Sequence, residues 1–178
     1  MRITGGDLKG RLVSVPPGVI RPAMDRMRES VFAHLGDLHG CSFLDLFSGS
    51  GILALEAASR GAYPVEAVEA DPLKRSVLLK NVSLADQRIR CRFMPVEQYV
   101  YRARQSFALI FCDPPFQYRF KAELLERIAL SQLMGTTSRL LMHHPREEQL
   151  TVRSLILRES RDYGRSRIDF FTKEEHTV

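Results

Sequence analysis

Asp113-Pro114-Pro115-Phe116 is the stretch whose residue types most narrowly define a chemistry. Two prolines after an aspartate fix two backbone φ angles and remove two donors, so carbonyls and the carboxylate can be presented outward as acceptors. Phe116 adds an aromatic plate beside them. Acceptors next to a stacking ring suit a flat base held by its exocyclic amine, because the amine donates hydrogen bonds and the base has a π-face. Taken alone, the same four residues also make a rigid turn with an exposed phenylalanine.

Two further features lie upstream. Ser48-Gly49-Ser50-Gly51 follows the apolar run Phe43 to Phe47 and precedes ILALEAASRG, which has helical period, so the stretch reads as strand, tight glycine turn, helix. Glycines permit positive φ and close approach of a ligand, and amides at the helix start favour an electron-rich group. Gly49-x-Gly51-x-x-Ala54 satisfies the dinucleotide pattern, and Glu69 lies about 20 residues on, so the turn fits nicotinamide and other adenosine cofactors alike. Glu69 is placed to accept from ribose hydroxyls. Asp45 can hold the ammonium of a cofactor's amino-acid part, or bond locally before the turn.

The elements that must position these residues alternate along the chain. Ser42 to Leu46, Val65 to Glu69, Ile89 to Phe93, Phe107 to Cys112 and the run from Arg139 read as strands. Helices are expected over Ile52 to Arg60 with Gly61 as stop, from Pro72 through Ala85, over Glu97 to Arg104 and over Lys121 to Leu130. A hairpin around Tyr163-Gly164 closes the series. This succession predicts an α/β fold, a mostly parallel sheet with helices on both faces and a hairpin at one edge. Ligands of such sheets sit beyond the carboxyl ends of the strands, where the glycine turn, Glu69 and Asp113-Phe116 all fall.

At 178 residues, 44% hydrophobic and 26% charged, the chain fits one domain with a small extension. Residues 1–24 form that extension, an expected hairpin from Arg2-Ile3-Thr4 and Arg11-Leu12-Val13, and residues 25–178 the core. Asp25 is expected to cap the first helix. The formal charge is +5, and Arg2, Lys9, Arg11, Arg21, Arg26 and Arg28 are spread over a segment with few acids, a composition suited to a phosphate backbone and equally to a solvated basic surface. Cys41, Cys91 and Cys112 form no C-x-x-C pair and read as reduced core cysteines. The five histidines lack metal-ligand spacing, and the pair His143-His144 reads as a strand-end feature. No charged-then-apolar leader pattern opens the chain and no run approaches a membrane span, so a cytoplasmic protein without a metal is expected.

DLFSGSG, the acid of VEAD and DPPF, in this order, resemble class I S-adenosylmethionine-dependent methyltransferases that modify amino nitrogens. The opening RITGGDLKGR, the segment from Arg21 to Phe32, LALEAASRGA and DPPF are similar to the bacterial RsmD-type 16S ribosomal RNA guanine-N2 methyltransferases. The resemblance implies a Rossmann-like sheet with a reversed seventh strand, S-adenosylmethionine as donor and an N-terminal hairpin facing the RNA. It places Asp45 and the loop Phe47, Ser48, Gly49, Ser50 and Gly51 at the methionine part, and Glu69 with Ala70 at the ribose. Val96 then lies near the adenine, and Asp113, Pro114, Pro115 and Phe116 face the target guanine. It implies 16S RNA or the small ribosomal subunit as partner, and a monomer is expected. Two departures stand out: Ala23-Met24 replaces the usual Thr-Thr before Asp25-Arg26, and Pro95-Val96 stands where a polar residue often binds the adenine amine, leaving backbone, apolar contact or Glu97 for that task. A DNA amino-methyltransferase, a nicotinamide oxidoreductase and a non-catalytic RNA-binding module are the alternatives.

Overall fold

Strand β1 (Phe43–Leu46) is buried along its whole length because it is paired on both sides, parallel to β2 (Val65–Glu69) and parallel to β4 (Leu109–Cys112). That double pairing explains why Phe43, Leu44 and Leu46 are apolar on both faces of the strand. The structure, a computed structural model, describes residues 1–15 and 22–173. With β3 (Ile89–Phe93), β5 (Arg139–Pro145), β6 (Leu155–Tyr163) and β7 (Ser166–Lys173), the sheet has seven strands in the order β3-β2-β1-β4-β5-β7-β6. Strands β1 to β5 run parallel, and β7 lies antiparallel between β5 and β6. The expected mostly parallel sheet with a reversed strand in an edge hairpin is therefore present.

The strand order reverses between β1 and β4, since the chain proceeds from β1 outward to β3 and then returns to β4 on the other side. Such a switch point opens a crevice at the carboxyl ends of the two strands. Side chains alternate along β1: Phe43 joins one apolar cluster, Leu44 and Leu46 the other. Helices α1 (Pro22–Leu35), α2 (Ile52–Ser59) and α3 (Arg75–Val82) cover the first face through Met27, Phe32, Leu55 and Leu78. Helices α4 (Val96–Arg102) and α5 (Lys121–Leu130) cover the second through Tyr99, Leu125 and Ile128. By the pleat, Asp45 and Asp113 share the first face with Phe43 and Phe111.

Helix α2 is buried from Leu53 to Ser59 because the sheet lies on one side and the N-terminal segment on the other. That segment makes a minimal hairpin, a single antiparallel bridge between Arg2 and Leu12, with the Gly10 amide donating to the Ile3 carbonyl. Ile3, Leu8 and Val13 reach the same apolar cluster as α2. The Asp7 amide donates to the Ser59 carbonyl at 2.8 Å and the Leu8 amide to Ser59 Oγ at 2.8 Å. Gly6 makes this approach possible, for a Cβ there would stand 1.7 Å from the Ser59 carbonyl oxygen.

Two local expectations are corrected. Asp25 does not cap α1, which begins at Pro22; it lies in the first turn and pairs with Arg28 at 2.7 Å. Helix α4 starts one residue early, at Val96, and ends at Arg102, so Arg104 lies outside it. The stretch from Pro72 opens as one 3₁₀ turn capped by the Asp71 side chain before α3 begins. No helix among the described residues is long and apolar enough to cross a membrane.

Candidate active site

Asp45 is fully buried under the start of α2, where its Oδ2 accepts from Ser48 Oγ at 2.6 Å and from the Ala54 amide at 3.2 Å. Its Oδ1 has no hydrogen-bond partner among the described residues. A buried carboxylate oxygen left this way costs free energy unless a donor arrives, so Oδ1 marks a place for a cationic or N-H group. Burial pushes the Asp45 carboxyl up to about 7, against the Ser48 hydrogen bond, and the charges of Asp113 and Glu69 add to the upward push. Three carboxylates thus act on one crevice, and their joint field favours a cation.

Glu69, at the end of β2, is 5% exposed and accepts from the Gly49 amide at 2.7 Å and from the Asp71 amide at 2.8 Å. Each of its oxygens retains a second acceptor site. Four amides around the turn are bonded to the protein's own acceptors: Ser48 donates to the Val68 carbonyl, Gly51 to the Ser48 carbonyl, Gly49 to Glu69 and Ala54 to Asp45. A turn beside three carboxylates, two of which take its Gly49 and Ala54 amides, is poorly suited to a pyrophosphate. The nicotinamide alternative loses its physical basis here. Gly51 is held at φ 81 against α3, where a Cβ would meet Leu78 Cδ1 at 2.7 Å. Phe47 also has positive φ, 66°, and its half-buried ring meets Tyr118 edge-on at 5.4 Å.

Asp113 follows β4, its amide bonded to the Leu46 carbonyl at 3.2 Å, which brings it beside the end of β1. Its Oδ1 lies 2.7 Å from His143 Nδ1 on β5. Pro114 is buried, Pro115 exposed and Phe116 half-buried, with the Phe116 ring edge-on to His143 at 5.4 Å. Lys121, 3% exposed at the start of α5, donates to the carbonyls of Phe116 and Tyr118 at 2.9 and 2.7 Å and to Glu148. The loop after Asp113 is thereby fixed from below by one ammonium. Tyr118 donates to Glu97 Oε1 at 2.5 Å, so Glu97 is bound to this loop. Val96 is buried at the start of α4, whereas Ala70 is exposed beside Glu69.

The basic residues divide. Arg2, Lys9, Arg11 and Arg26 are exposed, and Arg21 lies outside the described residues. Arg28 is interior, 3% exposed, with Nε on Glu56 at 3.0 Å, Nη1 on Asp25 and Nη2 on the Arg2 carbonyl at 2.9 Å. It corrects the expectation of a phosphate contact, since all three guanidinium nitrogens are committed inside. Glu56, fully buried, gathers Arg28, Arg60 and both the amide and hydroxyl of Thr4. A glutamate inside the otherwise apolar ILALEAAS was the available signal that a buried cation had to be nearby.

Sequence reasoning also passed over Asn81, 2% exposed on α3, whose Nδ2 donates to the carbonyls of Ser14 and Ser50 at 2.8 Å each while Oδ1 accepts from the Ser14 amide at 2.9 Å. It joins the end of the N-terminal segment to the glycine loop. His143 and Lys121 were likewise not legible, because each depends on which strand or helix lies beside the Asp113 loop. No group of three or more potential metal ligands comes together among the described residues.

This strand order, with acidic residues gathered at the ends of β1, β2 and β4, is that of the class I methyltransferases. A solved Escherichia coli structure described as "Putative methyltransferase yhhF" superposes with a TM-score of 0.86 at 26% identity, covering 99% of each chain. The chain belongs to the family described as Conserved hypothetical protein 95, whose model matches residues 1–172. Among curated relatives, the Bacillus subtilis "Putative rRNA methyltransferase YlbH" is 29% identical over 97% of this chain and 99% of its own length. Ribosomal RNA small subunit methyltransferase D of Escherichia coli K12 is 36% identical over 66% of this chain and 61% of its own length. The RsmD-type resemblance carried by the opening signature and DPPF is borne out.

Proposed function

We propose that this protein methylates the exocyclic N2 of a guanine in 16S ribosomal RNA with S-adenosylmethionine as donor, acting as a cytoplasmic monomer on 16S RNA or the small ribosomal subunit. The crevice where Asp45, Glu69 and Asp113 converge carries the reading, because a cofactor with sulfonium and ammonium charges complements it and a pyrophosphate does not. The names of the curated relatives support ribosomal RNA as the substrate.

Bound in that crevice, S-adenosylmethionine supplies an electrophilic methyl group on a cationic sulfur. Asp45 Oδ1 has an open acceptor position for its ammonium, and Glu69 retains acceptor capacity for ribose hydroxyls. The chain's own part in the chemistry lies at Asp113 to Phe116. A guanine amine is a poor nucleophile because its lone pair is delocalised into the ring. Asp113 Oδ2 and the Pro114 carbonyl accept its two N-H groups, favouring pyramidal geometry and stabilising the positive charge that develops as the C–N bond forms. Phe116 would hold the base plane; as the N–C bond forms the sulfur–methyl bond would break, leaving the neutral thioether S-adenosylhomocysteine, and the extra proton on the nitrogen would pass to water. Positioning supplies most of the rate, as expected for two substrates held in near-attack geometry. Lys9, Arg11, Arg2 and Arg26 are the exposed cations offered to the phosphate backbone.

Labelled-methyl transfer to undermethylated small subunits, free 16S RNA and duplex DNA, with the product nucleoside identified by mass, tests this. N2-methylguanosine in the RNA is expected, with Asp113→Ala inactive and still binding cofactor. Methylated adenine or cytosine in DNA instead would overturn the substrate while keeping the crevice.

A further inference from the structure

We propose that His143 is the positioning residue that makes Asp113 a fixed, single-oxygen acceptor for the target amine; this rests on the amino-methylation reading above. The β4–β5 register sets Cys112 opposite Met142, so the next residues along the two parallel strands, Asp113 and His143, emerge side by side. Both belong to the same face of the sheet by the pleat. The result is the 2.7 Å contact between Nδ1 and Oδ1, with His143 2% exposed and the Asp113 side chain 19% exposed.

A carboxylate oxygen only accepts, so in this contact Nδ1 is the donor and Asp113 Oδ1 the acceptor. Nε2 is buried and has no partner among the described residues. Leu140, Leu141 and Met142 precede it fully buried, so an aliphatic side chain at 143 would continue an apolar run and bury no orphan nitrogen. The nitrogen that is bonded is therefore the one with a task. The same ring also touches the edge of Phe116 at 5.4 Å and 64°. One imidazole thus sets both the rotation of the Asp113 carboxyl and the placement of the stacking ring. With Oδ1 committed to His143, Oδ2 is the oxygen left to receive the amine, and a carboxyl free to rotate would present either oxygen in many orientations.

The test compares His143→Leu, which removes the donor, with His143→Asn, whose side-chain amide can place an N-H near the Nδ1 position. Transfer to undermethylated subunits or 16S RNA is measured together with cofactor affinity and thermal melting. We expect kcat to fall by about 10- to 100-fold in the leucine variant. Cofactor Kd and KM for RNA should change by less than about threefold, and the asparagine variant should recover most of kcat. Nitrogen-15 NMR of the unliganded protein should find Nδ1 protonated. Unchanged kcat in a folded leucine variant, or equal losses in both variants, would overturn the assignment, as would the opposite tautomer. If the leucine variant does not fold, His143→Ala takes its place with the same expectation. Wild-type protein that transfers no methyl to RNA removes the amino-methylation reading itself, and the positioning role with it; wild-type activity with insensitive variants removes the positioning role alone.

Discussion

The Gly49 amide donates to Glu69 Oε2 at 2.7 Å and, beside the backbone bond from Ser48 to Val68, ties the end of β2 to the loop after β1. The second oxygen of the same carboxylate receives the Asp71 amide at 2.8 Å, which places the following 3₁₀ turn. Glu69 is thus a brace for the glycine loop as well as the proposed ribose acceptor.

Glu69→Gln is expected to weaken S-adenosylmethionine binding by about 10- to 100-fold, because a carboxamide turns an NH₂ toward one of those two amides and loses the anionic acceptor. Calorimetry on the unmodified and variant proteins checks this. A substitution without effect on Kd would remove Glu69 from the cofactor site.

As the proposed ammonium acceptor, Asp45 is expected to give the cofactor affinity a pH dependence. Its carboxyl is raised to about 7 chiefly by burial, so in the unliganded protein it holds a proton over a range in which the unfolded chain does not. Its contribution to stability is present below the ordinary aspartate value near 4 and is lost as pH rises through 7. A cationic ligand favours the ionised form. Affinity should therefore rise between pH 6 and 8 with release of a proton, read by calorimetry in buffers of different ionisation enthalpy. Asp45→Asn should flatten the profile.

Asn81→Ala removes one side chain that satisfies two carbonyls and one amide, on Ser14 and Ser50. A stability loss of about 2 kcal/mol is expected, or roughly 5 °C in Tm for a chain of this size. Because one of the carbonyls belongs to the glycine loop, cofactor affinity should fall with it, unlike the response to an equally destabilising core truncation on α5.

Gly6→Ala should undock the N-terminal segment, since the added methyl would overlap the Ser59 carbonyl. Gly10→Ala is the control: it has a similar positive φ, 83°, and open space around it, so only the left-handed backbone cost of about 1 kcal/mol applies. Hydrogen exchange over residues 1–15 is expected to accelerate strongly in the first variant and little in the second. RNA affinity should follow, because Arg2, Lys9 and Arg11 ride on this segment.

Much of the frame was determined by local sequence. Apolar runs of four to six residues separated by helical periods specified the order of β1 to β5, and Tyr163-Gly164 specified the hairpin that becomes β6 and β7. Lys121–Leu130 was found to the residue, since an amphipathic period with clear flanks is a local property. The glycine turn, Glu69 and Asp113-Phe116 could be assigned to strand ends for the same reason, and the parallel sheet then carried them to one side.

What tertiary structure decided was which polar groups meet. Arg28 has the composition of a phosphate contact and the position of a core cation, because α1 lays it across Glu56 of α2 and the Arg2 carbonyl. Local sequence offers the amides of Gly49 and Ala54 to an anion, and the fold gives them instead to Glu69 and Asp45. His143, read as the end of a strand, meets Asp113 only because β5 lies beside β4 in a register that no local pattern encodes. Sequence period fixes which face a residue occupies, while the partner on that face comes from strand order and long-range packing, and partners determine charge state, orientation and hence chemistry.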